Sequence, residues 1–592
     1  MNPKGLLSNK WFFWSLFLLL FTYAIIRAWS VVPMLDELAT FFSYIRTGHY
    51  FNSIEVLDAN NHVVNSFLGH QFYRLFGDHF FLFRLSSLCA FPVYFFSVKS
   101  IVQKAIPDKP NVLVFLALVS VPWIFEYFSY SRGYGMAIAF FFAAIAFVIR
   151  WKESKKLIHF ILIFASLYVA IISSLTYMMP GMLLIGIVGV LLLREYRSKK
   201  ALLFGIVVLL VWCVALIPFV RYSFELKEAG ALRWGNQDGL WQSTGKSLSG
   251  LVLFSQASWT LYLISFFLLF GVVSFVLSWK QKGLWSYLKE TEVIVFLLMI
   301  GSLIGIVAMR YLLDMNYPMD RVGMYLVPMF ILYVSVFLAK YRYSKFGLAL
   351  LCFFPLSFLY HVNVSTSIFS PEDRIPTYLS DQIKSRLTDQ TALSAEYVSH
   401  MSYAYACRND EKVHMAYTAE KTDEFKGDYH ITWLGLDSFE DYELMARDPD
   451  SHTSFWKREK PFKRSLVLDT LVQNRSTQDM YFDLFKGEVD SALRGETIQF
   501  EIAGKMLFNE KSNDFNIFCS FSDQNGVQTS VRSPYFNWYF GDRTDVHFTF
   551  VDQPFKLKEN EEQITVFLMN SDLRQIKVDF MRVRIYRILP EE

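Results

Sequence analysis

From Trp11 to about Tyr360 the chain alternates long apolar blocks with short charged segments, and from Val362 to Glu592 the pattern becomes that of an ordinary water-facing protein. A block of about 20 apolar residues crosses the hydrocarbon core as a helix, because only a helix satisfies every backbone polar group within the segment. About eleven such spans are expected, near 11–31, 79–98, 111–127, 134–149, 157–173, 179–193, 201–220, 251–278, 291–312, 322–339 and 346–362. The first has a basic flank, Lys4 and Lys10, without a small-residue cleavage pattern after it, so it reads as a retained helix rather than a signal peptide.

The connections carry a charge asymmetry. With the N-terminus inside, the cytoplasmic turns hold Lys99, Lys104 and Lys109, then Arg150, Lys152, Lys155 and Lys156, then Arg194, Arg197, Lys199 and Lys200. Lys280, Lys282 and Lys289 follow, then Lys340, Arg342 and Lys345, while the short opposite loops are poor in Lys and Arg. This obeys the positive-inside rule and places the C-terminal region outside. The two longest loops, about 32–78 and 221–250, are then both external. In the first, Leu35, Leu38, Phe42 and Ile45 share one helical face, and so do Val64, Phe67, Leu68, Phe72, Leu75 and Phe76, with His70 and Arg74 opposite. Two short amphipathic helices lying flat at the membrane interface are predicted.

The water-facing region divides in two. Residues 363–460 mix a helical pattern around Thr377–Leu387 with short strands such as Tyr429–Leu434. Residues 461–592 alternate as strands over Ile498–Ile502, Phe515–Ser520, Val546–Phe550, Ile564–Met569 and Val583–Ile588, with a turn signal at Asp523–Gly526. The predicted architecture is a multi-pass α-helical membrane domain over 1–362, an α/β subdomain over 363–460 and a β-sandwich-like subdomain over 461–592. Composition agrees, with 53% hydrophobic residues in 592. A net charge of +3 gives no reason to expect a nucleic-acid partner, and five scattered cysteines give no disulfide or zinc framework.

Candidate chemistry gathers on the external side. Asp36 and Glu37 directly follow the first span, where a partly desolvated carboxylate suits the role of base toward a hydroxyl or amine. The alternative for Asp36 is a helix N-cap after Pro33. His62, in Asp58-Ala-Asn-Asn-His62, suits phosphate contact, acid/base work or metal ligation beside His49 and Asp58, or is a capping residue. Arg132, in Glu126-Tyr-Phe-Ser-Tyr-Ser-Arg132-Gly-Tyr134, and Arg321, in Asp320-Arg321-Val-Gly-Met-Tyr325-Leu-Val-Pro328, each suit a phosphate or snorkel to the interface. Arg74 and Arg84 have the same two readings. Arg27 and the Ser173–Ser174 pair read as helix-end residues.

Together these motifs resemble the GT-C superfamily of membrane glycosyltransferases, in particular the protein O-mannosyltransferase and lipid A aminoarabinose transferase branch. The acidic motif matches at Asp36–Glu37, the Arg and Tyr before the fourth span at Arg132 and Tyr134, and the late Arg-x-x-x-Tyr-x-x-Pro at Arg321, Tyr325 and Pro328. The family's His-Pro-Pro segment reads His62-Val63-Val64 here, so the histidine matches and the prolines do not. Over roughly residues 1–360 the resemblance implies a polyprenyl-phosphate-linked sugar donor, inversion at the anomeric carbon, and a glycan, lipid or protein acceptor. It implies Asp36 as base with Glu37 assisting, and Arg132, Tyr134, Arg321, His62 and Arg74 around the donor phosphate. No cofactor or obligatory divalent metal is expected. The membrane is expected to be a bacterial inner membrane, with the C-terminal region periplasmic.

Two other classes fit less of the chain. A secondary transporter is expected to show internal repeats and polar residues at mid-membrane, whereas the candidates here cluster at the external surface. A scaffold that only displays the soluble region needs one span. A lipid-linked glycan ligase or polymerase remains open within the superfamily.

Overall fold

The computed structural model describes residues 7–51, 58–106, 111–195, 199–232, 234–283, 287, 290–341, 344–419, 427–509, 515–534, 536–540 and 543–589. Lys4, Lys109, Arg197, Lys289 and Arg342 of the charge pattern lie outside the described residues. Two compact units result: Met1–Val31 with Gly48–Phe369, and Val32–Thr47 with Ser370–Glu592.

The first unit is helical: α1 (Lys10–Ser30); after α2 (Leu35–Thr40), which belongs to the second unit, α3 (Val63–Phe76), α4 (Phe80–Ala105), α5 (Asn111–Val119), α6 (Pro122–Glu126), α7 (Gly133–Ser154), α8 (Leu157–Ser173) and α9 (Met178–Glu195). Then come α10 (Lys199–Glu228), α11 (Lys246–Leu253), α12 (Ser258–Lys282), α13 (Thr291–Leu313) and α14 (Leu326–Leu338). Among the described residues eight helices are long and apolar enough to cross a membrane, and Leu157–Ser173 and Phe346–Tyr360 are shorter apolar helices. The expected count of about eleven is therefore not reached by long helices alone. The block 111–127 breaks after Val119, because Pro122 takes the first position of α6 and the preceding Val121 is extended. The block 346–362 is interrupted by a 3-10 turn at Leu350–Cys352. The block 251–278 starts later than expected, at Ser258, because α11 occupies 246–253 and Phe254 adopts a left-handed conformation.

Leu203, Leu210, Val211, Val214 and Ile217 of α10 and Tyr262, Phe266 and Leu269 of α12 are exposed. An apolar surface of that extent is stable only against lipid. This is an integral membrane protein. Helix α3 makes the same point by inversion: it buries Asn65, Ser66, Gly69 and Tyr73 and leaves Phe67, Leu75 and Phe76 exposed. The polar Asn65 and Ser66 pack inward, while the apolar Phe67, Leu75 and Phe76 look out.

The second unit holds an α/β part and two antiparallel sheets. In the α/β part the strand order is β3-β1-β4-β6-β5, over Tyr417–Ala419, Leu393–Glu396, Tyr429–Thr432, Ser454–Arg458 and Tyr442–Arg447. One antiparallel sheet orders β11-β10-β14-β8, over Gln528–Arg532, Phe515–Ser522, Gln563–Asn570 and Tyr481–Glu488. The other orders β2-β12-β9-β15-β7, over Val413–Met415, Asp545–Val551, Thr497–Phe508, Ile576–Ile588 and Arg464–Thr477. Alternate residues of β10 and β14 are buried, as a two-sheet sandwich requires. Strand β2, from the α/β part, pairs in parallel with β12, and one core runs from Ile375 and Leu379 to Phe548 and Val583. The two parts therefore share a core across residue 460.

Candidate functional site

After α1 the chain runs extended to Met34, the N-cap of α2, whose N–H donates to Glu37 Oε2 at 3.1 Å. Glu37 thus caps the start of its own helix through its side chain, and it is buried. The N-cap reading of Asp36 is thus corrected: Met34 caps the helix, and Asp36 lies half-buried in the first turn. A π turn, Phe41–Ile45, continues α2. Leu38, Phe41, Phe42 and Ile45 are buried, with the Phe41 ring edge-on to Tyr405 at 6.3 Å and the Phe42 ring stacked on Trp538 at 6.1 Å. The Leu35 N–H donates to Asp373 Oδ2 at 3.2 Å. The expectation that this helix lies flat in the membrane interface is therefore corrected, since its apolar face is spent on the C-terminal unit. Among the expected site residues, only Asp36 and Glu37 belong to that unit.

In the membrane unit, the segment before α3 docks on the turn before α7. Arg132, the N-cap residue of α7, is completely buried, and its guanidinium donates to the Asn60 carbonyl at 3.0 Å and to the Asn60 side-chain oxygen. Its carbonyl accepts from the Ser87 hydroxyl at 2.9 Å. His62 Nδ1 donates to the Ser173 carbonyl at 2.8 Å, and its ring lies edge-on to Tyr134 with centroids 4.4 Å apart. The guanidinium carbon of Arg132 sits 5.9 Å from the same Tyr134 ring. Asn65 donates to the Ser131 carbonyl at 2.9 Å and accepts from the Ser86 hydroxyl at 3.0 Å. Only a glycine fits at position 133 between them: a Cβ on Gly133 would come 2.0 Å from the Ser173 carbonyl and 2.8 Å from His62 Cβ.

Arg132, His62 and Tyr134 are thus brought together. Arg321 has a different neighbourhood, on a 3-10 turn with its guanidinium carbon 5.2 Å from the Trp234 ring centroid, beside Asp320, which accepts from the Ser247 hydroxyl. Arg74 is exposed in the last turn of α3. Arg84 caps α1, donating to the carbonyls of Ala28 at 2.9 Å and Val31 at 2.7 Å. It is buried, so it does not snorkel to the interface.

Sequence reasoning missed a buried ion pair. Arg27 lies in the last turn of α1, as expected of a helix-end residue, and is fully buried there, paired with Glu126 and donating to the Tyr130 hydroxyl at 2.9 Å. Glu126 also accepts from the Tyr130 hydroxyl and the Ile368 N–H, each at 2.9 Å. The signal was a carboxylate inside an apolar block, where only a paired charge is tolerated. Among the described residues no three His, Cys, Asp or Glu side chains group closely enough to hold a metal ion.

No family model matches the chain, and no curated protein matches it. Among solved structures it is similar to ArnT from Cupriavidus metallidurans bound to undecaprenyl phosphate, at 14% identity, covering 75% of this chain and 97% of that one, with a TM-score of 0.39. It is also similar to the apo oligosaccharyltransferase of Archaeoglobus fulgidus, at 9% identity, covering 96% and 97%, with a TM-score of 0.39. A further similarity is to the arabinosyltransferase EmbB from Mycobacterium smegmatis, at 9% identity, covering 96% and 64%, with a TM-score of 0.32.

Proposed function

We propose that this chain is a membrane glycosyltransferase of the GT-C type, which moves a sugar from a polyprenyl-phosphate carrier to an acceptor outside the cytoplasm, with inversion. Asp36 takes the proton of the acceptor hydroxyl or amine as that atom attacks the anomeric carbon. The bond from the anomeric carbon to the phosphate oxygen breaks, and polyprenyl phosphate departs. Arg132 and Arg321 balance the negative charge that grows on the phosphate, with Tyr134, His62 and Arg74 as further donors. Glu37 supports Asp36 by accepting the Met34 N–H at the start of their helix. The membrane in this reading is a bacterial inner membrane, with the N-terminus cytoplasmic and the C-terminal unit periplasmic, following the Lys and Arg distribution.

The observation that carries the reading is Arg132, completely buried where a membrane helix begins, beside His62 and Tyr134. An arginine kept at such a position serves an anion or a partner, and its planar fork matches phosphate oxygens. The test is to give detergent-purified protein a panel of polyprenyl-phosphate-linked sugars with candidate acceptors and follow free polyprenyl phosphate by mass spectrometry. Acceptor-dependent release supports transfer. Sugar uptake into proteoliposomes without cleavage of any donor contradicts it and favours a transporter.

A further inference from the structure

Helices α8 and α9 are joined by a short break. Ser173 ends α8, Ser174 leaves the helix at φ −156° and ψ 120°, and Leu175–Tyr177 form a 3-10 turn before α9. Non-helical backbone in a membrane domain is tolerated where it is buried in protein or lines a polar cavity. Most polar groups of the break are accounted for: the Ser174 and Thr176 hydroxyls pair at 2.9 Å, and the Tyr177 N–H donates to the Ser174 carbonyl at 3.0 Å. Two are not. The Ser173 hydroxyl and the Tyr177 phenol are both buried and have no hydrogen-bond partner among the described residues.

Buried hydroxyls in native proteins find partners, so two unmet ones on one short break call for an explanation. Their surroundings supply it. The Ser173 carbonyl holds His62, and Gly133, next to Arg132, packs against that carbonyl. The Tyr177 ring lies 5.6 Å from that of Tyr325, in the Arg321 motif, and 5.5 Å from that of Phe141. Tyr177 thus stands between the two arginine motifs that were legible in the sequence, on a turn that carries neither.

We infer that the Ser173 and Tyr177 hydroxyls donate hydrogen bonds to the phosphate oxygens of a polyprenyl phosphate, an assignment that rests on the transferase reading. The experiment measures polyprenyl phosphate binding and thermal unfolding of the full chain in detergent, for wild type, Tyr177→Phe and Ser173→Ala. Tyr177→Phe binds about 10-fold more weakly, the loss of one hydrogen bond to a charged group, while its unfolding temperature holds or rises because an unmet hydroxyl has gone. Ser173→Ala shifts both quantities in the same directions. Unchanged affinity in both variants overturns this assignment and leaves the transferase reading standing. A fall in unfolding temperature with the phenol removed also overturns it, since the hydroxyl then serves the fold. Wild type that does not bind polyprenyl phosphate overturns the assignment and the donor chemistry together.

Discussion

The ring of Phe42 stacks on that of Trp538, with centroids 6.1 Å apart and planes 24° from parallel, so the helix that carries Asp36 is part of the C-terminal β-rich unit. In the proposed reaction the C-terminal unit therefore holds the base in position. Trp538→Ala should slow transfer at saturating donor while leaving polyprenyl phosphate affinity unchanged. Phe42→Ala should do the same, and the double variant should be less harmful than the sum, with a coupling of about 0.5–1.5 kcal/mol typical of an aromatic pair. A rate assay beside a binding assay checks both statements.

The Arg27–Glu126 pair ties α1 to α6, and the Ile368 N–H adds the chain beyond the last apolar helix. Removing one member of a buried pair strands the other charge, so Glu126→Ala should destabilise the membrane unit by about 3–5 kcal/mol. Replacing both by apolar residues of similar size, Arg27→Met with Glu126→Leu, should restore most of that loss. Thermal unfolding in detergent separates the two variants.

Gly133 tests the arginine site through packing alone. A methyl group at Gly133→Ala would overlap the Ser173 carbonyl and crowd His62, forcing the His62–Ser173 hydrogen bond apart. Overpacking of this kind costs about 1–3 kcal/mol. The expected outcome is a lower unfolding temperature together with weaker polyprenyl phosphate binding. Normal binding with lowered stability would separate this cluster from the donor.

Burial pushes the imidazoles of His400 and His430 in the C-terminal unit down to about 3. Their contribution to stability is full above the ordinary histidine value of about 6.5 and is lost as pH falls from there toward 3. Asp552 acts in the opposite sense: burial raises its carboxyl to about 6, so the cost of its charge is relieved as pH drops below that value. Burial also holds His414 down to about 4, so from pH 6 to 4 three histidines against one carboxylate leave a net fall in stability as pH drops, about 1.4 kcal/mol per pH unit for each unbalanced histidine. Hydrogen exchange in strand β4, corrected for the intrinsic pH dependence, should show that slope, and His400→Gln should flatten it.

Much of the fold was legible in the sequence, and the exceptions have physical causes. Apolar blocks such as 201–220 and 291–312 have unbroken length, and they appear as α10 and α13. The block 111–127 has the same composition but contains Pro122, which the hydropathy pattern does not weigh. Helix α3 was legible as amphipathic, yet its Asn65 and Ser66 turn inward, because in lipid the buried side of a helix is the one that finds hydrogen bonds. Of the site, Arg132, His62 and Tyr134 were each visible as isolated polar residues, and they meet. The Arg27–Glu126 pair lay hidden because its members are 99 residues apart and each resembles a helix end. Tyr177 carried no signal at all, since an aromatic residue between two spans looks like any interfacial tyrosine.

The central claim is that Asp36 removes the acceptor proton in a transfer from a polyprenyl-phosphate-linked sugar. The most direct measurement is single-turnover transfer by Asp36→Asn beside its polyprenyl phosphate affinity and its unfolding temperature. Loss of a general base should slow the chemical step by about 100-fold or more, with affinity and stability as in wild type. Turnover at the wild-type rate in purified Asp36→Asn protein would contradict the account.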